Sequence, residues 1–212
     1  MDRIGIFNTL YETYPALLGC ETEIEAAYAL LKAAADRRAL IMVCGNGGSA
    51  ADCEHITGEL MKGFNLKRPL SPAEKAKFDG IDGGAAIADK LQGAIRCISL
   101  VSQVGVISAF ANDIDPALIY AQQVWGYAGS PDDVLIGLST SGNSENVVNA
   151  VKTAKAAGIR TLAITGESES RLSALCDVTV KLPARAPFAV QELTLPAYHA
   201  LCAALEAEIF SS

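Results

Sequence analysis

The sequence lacks the features that mark membrane, secreted and nucleic-acid-binding proteins. No segment approaches the ~20 uninterrupted apolar residues that a membrane-spanning helix needs, and the first residues lack the pattern of a secretory signal. Lys and Arg number 17 against 24 Asp and Glu, and they form no basic cluster, which argues against a nucleic-acid surface. We therefore expect a cytoplasmic protein with neither a membrane nor a nucleic acid as partner.

Cysteine pairs at metal-binding or redox spacing are also missing. The six cysteines are scattered and no C-x-x-C motif occurs, which is typical of reduced thiols used as small core residues. They are Cys20, Cys44, Cys53, Cys97, Cys176 and Cys202.

The composition and the repeated order of predicted elements indicate one α/β domain spanning residues 1–212. Half of its residues are hydrophobic and 19 % are charged, as in compact globular proteins. Short apolar runs predict strands buried on both faces, and each is followed by a turn and a helical pattern. The runs lie at 39–44, 95–101, 134–138, 161–165 and 178–182, and the helices that follow them at 50–62, 104–111, 145–157, 168–175 and 188–210.

Repeated strand-turn-helix units imply a parallel sheet with right-handed crossovers and helices on both faces. A helical region, 1–38, precedes the sheet, with two helical pieces over 8–37. Residues 67–93 do not follow this alternation of strands and helices, and we interpret them as a long insertion with a short helix near 85–91. Ligands of such sheets bind beyond the carboxyl ends of the strands, where a glycine-rich and a serine-rich turn both fall.

The serine-rich turn, residues 139–144, reads Ser-Thr-Ser-Gly-Asn-Ser and precedes a helical pattern that begins near Glu145. Unpaired N–H groups and partial positive charge at a helix N-terminus, with four hydroxyls beside them, suit this turn to holding a phosphate. It has no Lys and is not a P-loop, nor is it a G-x-G-x-x-G dinucleotide motif. The alternative is that these residues are only helix caps and turn formers.

The two histidines lie on predicted helices beside other metal-ligand types. His55 is four residues before Glu59, and His199 is eight residues after Gln191, so each pair shares one helix face. Two imidazoles, a carboxylate and an amide oxygen make a plausible zinc set. A His–Glu pair at this spacing is also common on helix surfaces, and two distant helices need not meet. Cys53 is a competing ligand, but it points about 200° away from His55 around the helix.

Three separated motifs resemble the sugar isomerase (SIS) domain, specifically its phosphoheptose isomerase branch. They are the 45–52 segment (Gly-Asn-Gly-Gly-Ser-Ala-Ala-Asp), the serine-rich turn, and the stretch from Val190 to His199. The resemblance covers nearly the whole chain apart from the insertion. It implies an SIS-type, flavodoxin-like three-layer α/β sandwich with a central parallel sheet and N-terminal helices. It further implies a homotetramer with its sites formed between subunits.

The same resemblance implies the residues of the site. The ligands of one zinc ion would be His55, Glu59, Gln191 and His199. The sugar would be bordered by Asn46, Gly47, Gly48 and Ser49, with Glu59 and Gln191 also near it. The remaining substrate contacts would be Asn112 and Asp113 to hydroxyls, and Ser139, Thr140, Ser141 and Ser144 to the phosphate. Without the resemblance, Asn112 and Asp113 would be assigned to a loop, because Asn-Asp pairs are common turn formers.

The implied reaction interconverts sedoheptulose 7-phosphate and D-glycero-D-manno-heptose 7-phosphate through an enediol. It needs a base to take a proton from the carbon beside the carbonyl and an acid to manage the oxygens, and we assign these roles to Glu59 and His199. A divalent ion would act as a Lewis acid. Alternatives are the isomerisation of another sugar phosphate, and a non-catalytic SIS protein that binds a sugar phosphate or a partner, such as the regulators and initiator-associating proteins resembling this branch.

Two departures from the branch bear on the choice of sugar. A basic residue shortly after Glu59 is often present, and an acidic residue usually stands where this chain has Phe188. Candidates for the missing positive charge are Lys62, Lys67, Arg68 and Arg185.

Overall fold

A parallel sheet forms the centre of the molecule. The computed structural model describes residues 2–211, so the outer ends of the predicted domain, Met1 and Ser212, lie outside the described residues. The strands in this range are β1 (Ile41–Gly45), β2 (Cys97–Ser99), β3 (Val134–Leu138), β4 (Arg160–Gly166) and β5 (Val178–Leu182). Their order is β2-β1-β3-β4-β5, and all neighbours are parallel. The predicted parallel sheet is confirmed, and its order is that of flavodoxin-like folds.

Helices cover both faces of this sheet. They are α1 (Arg3–Thr13), α2 (Glu21–Asp36), α3 (Gly48–Met61), α4 (Pro72–Lys75), α5 (Gly84–Ala88), α6 (Val104–Asp113), α7 (Ile119–Tyr127), α8 (Glu145–Ala156), α9 (Arg171–Leu175) and α10 (Pro187–Phe210). Short 3₁₀ turns lie at Pro15–Cys20, Ala76–Phe78 and Pro116–Leu118. None of the helices within residues 2–211 has the length and hydropathy required to cross a membrane.

The side chains of the strands alternate between two cores. On β1, Ile41 and Val43 belong to the core shared with α1, α2, α3 and α10, whereas Met42 and Cys44 face the core shared with α7, α8 and α9. This alternation follows from the two-residue period of a strand. Because both faces are covered, the strands read in sequence as continuous apolar runs. All six cysteines are free thiols, and Cys176 is the only one of these that is not fully buried.

The N-terminal helical prediction is correct in kind, but α1 begins earlier than 8. Asp2 starts it, because its carboxylate accepts a 2.9 Å hydrogen bond from the N–H of Gly5. Helix α7 is not among the predicted elements. Its buried residues Tyr120, Ala121 and Val124 nevertheless have helical spacing, so the sequence does carry a signal for it.

The insertion at 67–93 leaves the domain and returns to it at one point. The N–H of Gly93 donates to the carbonyl of Arg68 at 2.7 Å, and Pro69 and Gln92 form an isolated antiparallel bridge. The short helix predicted at 85–91 is found as α5, so it ends three residues earlier than expected. Because its two ends are tied together, the insertion does not disturb the sheet.

A buried ion pair ties the start of the insertion to the last helix. Arg68 Nε donates to Glu206 Oε1 at 2.8 Å, and the two side chains are 0 % and 1 % exposed. The remaining Arg68 donors bind the carbonyls of Leu60 and Glu59, at the end of α3. The other acceptor sites of Glu206 take backbone N–H groups, at 2.6 to 3.0 Å, from Phe64, Asn65 and Leu66. Arg68 is therefore fully engaged, and it is excluded as the missing substrate-binding cation.

We expect Glu206→Gln to lower the free energy of unfolding by about 3–5 kcal/mol, because it leaves the buried guanidinium of Arg68 without a counter-charge. Urea unfolding at neutral pH measures this. The matched control is Glu25→Gln, which breaks a half-exposed pair with Arg3 and should cost below about 1 kcal/mol. If both variants lost the same amount of unfolding free energy, the buried pair would not have the large contribution to stability that we assign to it.

The loss of unfolding free energy in Glu206→Gln should also depend on pH. Burial alone would raise the pKa of Glu206, but hydrogen bonds from the N–H groups of Phe64 and Asn65 and from Arg68 outweigh it and lower the pKa. The charged form therefore stabilises the fold above the unfolded-state pKa of about 4.3, and this contribution is lost as the pH falls through the lower folded-state value. The difference between wild type and Glu206→Gln should accordingly shrink in acid.

Candidate active site

The glycine-rich and serine-rich turns lie side by side at the carboxyl edge of the sheet. They follow β1 and β3, which are paired so that Gly45 is opposite Leu138. Backbone approach is close here, because a Cβ on Gly45 would stand 2.9 Å from Ser49 and 3.1 Å from the carbonyl oxygen of Leu138. The expectation that both turns fall at one edge is met, and the pairing of the two central strands causes it.

Asn46 of the glycine-rich turn and Asn146, in the first turn of α8 just after the serine-rich turn, are joined by a reciprocal pair of amide hydrogen bonds. The Asn46 amide donates to Asn146 Oδ1 at 2.8 Å, and the Asn146 amide donates back at 2.9 Å. Tyr120 of α7 supports them, since its hydroxyl donates to the carbonyl of Gly45 at 2.7 Å and lies 3.3 Å from Asn46 Oδ1. Asn146 and Tyr120 are not among the predicted site residues, because only the fold brings them next to Asn46.

The serine-rich turn has a fixed backbone with accessible donors. Ser139 Oγ and Ser144 Oγ are 3.0 Å apart. Gly142 adopts φ +64, and a Cβ there would lie 2.1 Å from Ser170 Oγ, so only glycine fits. Ser144 is the N-cap of α8, yet within residues 2–211 its side chain makes no capping hydrogen bond. Asn146 Oδ1 accepts from the N–H of Val147 at 3.0 Å, so among the described residues the N–H groups of Glu145 and Asn146 are the ones left for another acceptor, which suits an anion better than a simple cap.

Three of the four predicted metal ligands meet between α3 and α10. His55 Nε2 lies 3.2 Å from Glu59 Oε1 and 3.4 Å from His199 Nε2. The two imidazole rings are edge to face, with centroids 4.8 Å apart. The helices do meet, as the zinc hypothesis required. Cys53 is buried in the core beneath, in keeping with its opposite helix face, and it does not join the cluster.

Gln191 lies elsewhere in the chain's own fold. A Cβ on Gly48 would be 2.4 Å from Gln191 Nε2, so this amide packs on the first turn of α3. Gly48 precedes His55 by seven residues, or about 10 Å along the helix axis. The structure therefore places the Gln191 amide beside the glycine-rich turn, where it was expected to border the sugar, and its role as a metal ligand stays a prediction.

Glu59 has an oxygen that the fold leaves unsatisfied. Its side chain is 12 % exposed, and Oε2 is buried with no hydrogen-bond partner among the described residues. Lys62 Nζ is 3.7 Å from this oxygen, a distance for charge attraction but not for a hydrogen bond. An unbonded buried carboxylate oxygen is costly, and a ligand or metal at this point would remove the cost.

The donor set of His55, Glu59 and His199 fits zinc chemically, since imidazole nitrogen and carboxylate oxygen are its usual ligands. Burial and then the neighbouring His55 lower the pKa of His199, with Glu59 opposing, and this favours a neutral ring with a free lone pair. Within residues 2–211, no three His, Cys, Asp or Glu side chains already stand as a finished metal cluster. Zinc thus remains a prediction that rests on donor chemistry and on the unbonded Glu59 oxygen.

Asn112 and Asp113 lie in the last turn of α6, and not in the loop that their residue types alone suggested. Both are exposed, and Asn112 donates to the Asp113 carboxylate at 2.7 Å. Among the described residues, no hydrogen bond links them to either turn. Of the cations considered for the missing positive charge, Lys62 is beside Glu59, Arg185 is paired with Glu167, and Lys67 is exposed near the insertion.

Comparison with known proteins agrees with this geometry. Two family profiles, both described as SIS domain, match residues 19–96 and 99–207. The chain is 34 % identical over 184 residues to a phosphoheptose isomerase of Maridesulfovibrio salexigens, covering 85 % of this chain and 78 % of that one. It is 30 % identical over 206 residues to a phosphoheptose isomerase of Rhodospirillum rubrum, covering 97 % and 96 %.

A solved structure shows the same likeness in three dimensions. The phosphoheptose isomerase GmhA from Neisseria gonorrhoeae superposes with a TM-score of 0.74 at 25 % identity, covering 95 % of each chain. The chain therefore belongs to the SIS domain family and, within it, to the phosphoheptose isomerases.

Proposed function

We propose that this protein is a sugar phosphate aldose–ketose isomerase that interconverts sedoheptulose 7-phosphate and D-glycero-D-manno-heptose 7-phosphate. The observation that carries the proposal is the meeting of His55, Glu59 and His199 between two helices, in a fold that also presents a phosphate-type turn. A binding protein needs no such cluster of proton-transfer groups. The similarity to relatives named phosphoheptose isomerase supports the choice of sugar.

The chemistry is a proton transfer between adjacent carbons. Glu59 is the base that removes the proton from the carbon next to the carbonyl, and its unbonded Oε2 is the free acceptor. His199 is the acid that handles the proton on the substrate oxygens, and burial and then the neighbouring His55 lower its pKa, which favours proton release. Both groups lie within hydrogen-bond reach of His55 Nε2, so one small substrate fragment can contact both.

The phosphate end of the substrate binds at the serine-rich turn. Ser139, Thr140, Ser141 and Ser144 and the first N–H groups of α8 supply donors without a cation. Asn46, Gly47, Gly48, Ser49 and Gln191 border the sugar chain. Binding energy from this remote end positions the reacting carbons, which raises the rate without any direct part in the chemistry.

One zinc ion completes the proposed site, held by His55, Glu59 and His199, with Gln191 as the fourth predicted ligand. When bound, it supplies Lewis-acid polarisation of the substrate oxygens. The free thiols throughout the fold are in keeping with a reducing compartment, so we propose the cytoplasm as the location.

Loss of either proton-transfer group should abolish most of the activity. We expect Glu59→Gln and His199→Ala each to lower kcat by about 10²-fold or more, because general acid–base catalysis contributes factors of that size. Formation of the heptose phosphate from sedoheptulose 7-phosphate measures it. Glu192→Gln is the matched control, an exposed carboxylate on α10 that should retain wild-type turnover.

Wild-type turnover in both site variants would overturn the assignment. Tight binding of sedoheptulose 7-phosphate by wild-type protein with no aldose product would instead favour a non-catalytic sugar-phosphate-binding protein. Product from a different sugar phosphate alone would redirect the proposal to that substrate.

Metal content is a separate test. We expect untreated protein to contain about one zinc per chain, and chelation to lower activity that added zinc restores. Elemental analysis and the heptose phosphate assay measure the two effects. Activity that persists unchanged in metal-free protein would remove the Lewis-acid part while leaving the acid–base assignment standing.

Helix α6 points to self-association. Its sequence is strongly apolar, yet none of its described residues is buried, and Val104 is 72 % exposed. Large exposed apolar surfaces mark interaction sites. We propose that α6 packs against another copy in a homotetramer, and that Asn112 and Asp113 at its end then reach a neighbour's sugar.

Charge placed on this helix should disrupt the assembly. We expect wild type to elute as a tetramer in light scattering and Val104→Glu to shift to smaller species, because a charge would be buried at the interface. Glutamate is favoured in the first turn of a helix, so the fold itself is unharmed. Lys152→Glu, on the exposed face of α8, is the control, and a tetramer in both variants would exclude α6 from the interface.

A further inference from the structure

The hydroxyl of Tyr198 links two polar groups of α3 inside the protein. Tyr198 is only 2 % exposed, and its Oη lies 2.9 Å from His55 Nδ1 and 3.3 Å from Asp52 Oδ1. Its ring also packs edge to face against His55, with centroids 5.6 Å apart. At so buried a position an apolar side chain would fill the space equally well. The hydroxyl therefore has a use other than packing.

The proton directions in this chain of bonds follow from the groups involved. A phenol has one proton to donate, and the carboxylate of Asp52 can only accept one. Tyr198 can thus donate to Asp52 and accept a proton from His55 Nδ1. The other ring nitrogen, Nε2, faces Glu59 and His199, and it is free to bind a metal in the tautomer that carries its proton on Nδ1.

We propose that Tyr198, supported by Asp52, is a positioning residue that fixes the ring orientation and tautomer of His55 so that Nε2 is the metal-binding atom. This rests on the zinc site of the proposed function. Ligating histidines commonly donate their other N–H to a fixed acceptor, which sets the tautomer and raises affinity. Here the acceptor is a phenol on the helix that carries the second histidine.

The geometry of α10 lets one segment serve both histidines. Tyr198 and His199 are consecutive, so their side chains point about 100° apart around the helix. The first therefore enters the core to hold His55, while the second reaches His55 Nε2 from the open side at 3.4 Å. A shift of α10 would move Tyr198 and His199 together, so the contacts of both residues with His55 would change as one unit.

The test is zinc affinity in Tyr198→Phe, which keeps the ring and removes the hydroxyl. Competition with a chromophoric chelator should show zinc binding about 10- to 100-fold weaker than in wild type. The matched control is Tyr28→Phe, whose hydroxyl binds Glu208 away from the site and whose loss should leave the affinity unchanged. Asp52→Ala should weaken binding in the same direction, because Tyr198 then loses the acceptor that orients it. Circular dichroism establishes that each variant is folded.

A second measurement needs no metal. Nitrogen-15 shifts of the histidine rings in zinc-free protein should show a proton on His55 Nδ1 in wild type and a shift towards the Nε2–H form in Tyr198→Phe. The chain has two histidines, so His199→Gln assigns the spectrum.

Unchanged zinc affinity together with an unchanged tautomer in Tyr198→Phe would overturn the proposal. If wild-type protein binds no zinc, the metal part of the proposed function fails by itself. In that case the nitrogen-15 shifts alone decide whether Tyr198 orients His55.

Discussion

The buried pair of Arg68 and Glu206 is the constraint on which the arrangement of the site depends. Two charges taken out of water are tolerated because each finds a full set of partners. Those partners are the end of α3, the loop that follows it, and the last turns of α10. The two helices that carry Glu59 and His199 are thus fastened at one end, and the insertion begins where they are fastened. The segment 67–93 therefore starts from a point that is fixed to both helices.

The second constraint is the pairing of β1 with β3. Parallel neighbours bring their carboxyl ends to the same edge, so a turn rich in glycine and a turn rich in serine become adjacent even though about ninety residues separate them. Hydrogen bonds between Asn46 and Asn146 then tie the glycine-rich turn to the start of α8, directly after the serine-rich turn. The phosphate-type turn is therefore a fixed feature of the scaffold. The histidine cluster lies further along α3, the helix that begins at the glycine-rich turn.

Much of the fold was predictable because its strands are buried on both faces and read as unbroken apolar runs. The serine-rich turn and the His–Glu spacing on α3 could also be predicted, since both are motifs within a few residues of sequence. Other features were not. Helix α7 was missed despite the spacing of Tyr120 and Val124, and Arg68 stood among the candidates for a substrate cation until its partner on α10 was seen. Its partner lies 138 residues away, and no local pattern signals such a pair.

The α/β class, the two turns and the residue types able to hold zinc could all be predicted, because they depend on periodicity and on motifs within a few residues. Which of those residues meet depends on the packing of distant elements. The tertiary structure brought His199 to His55, set Gln191 against Gly48, and placed the hydroxyl of Tyr198 between His55 and Asp52. The physical reason is that contacts between distant helices depend on how their faces pack against the sheet. The order of residues along either helix does not record that packing.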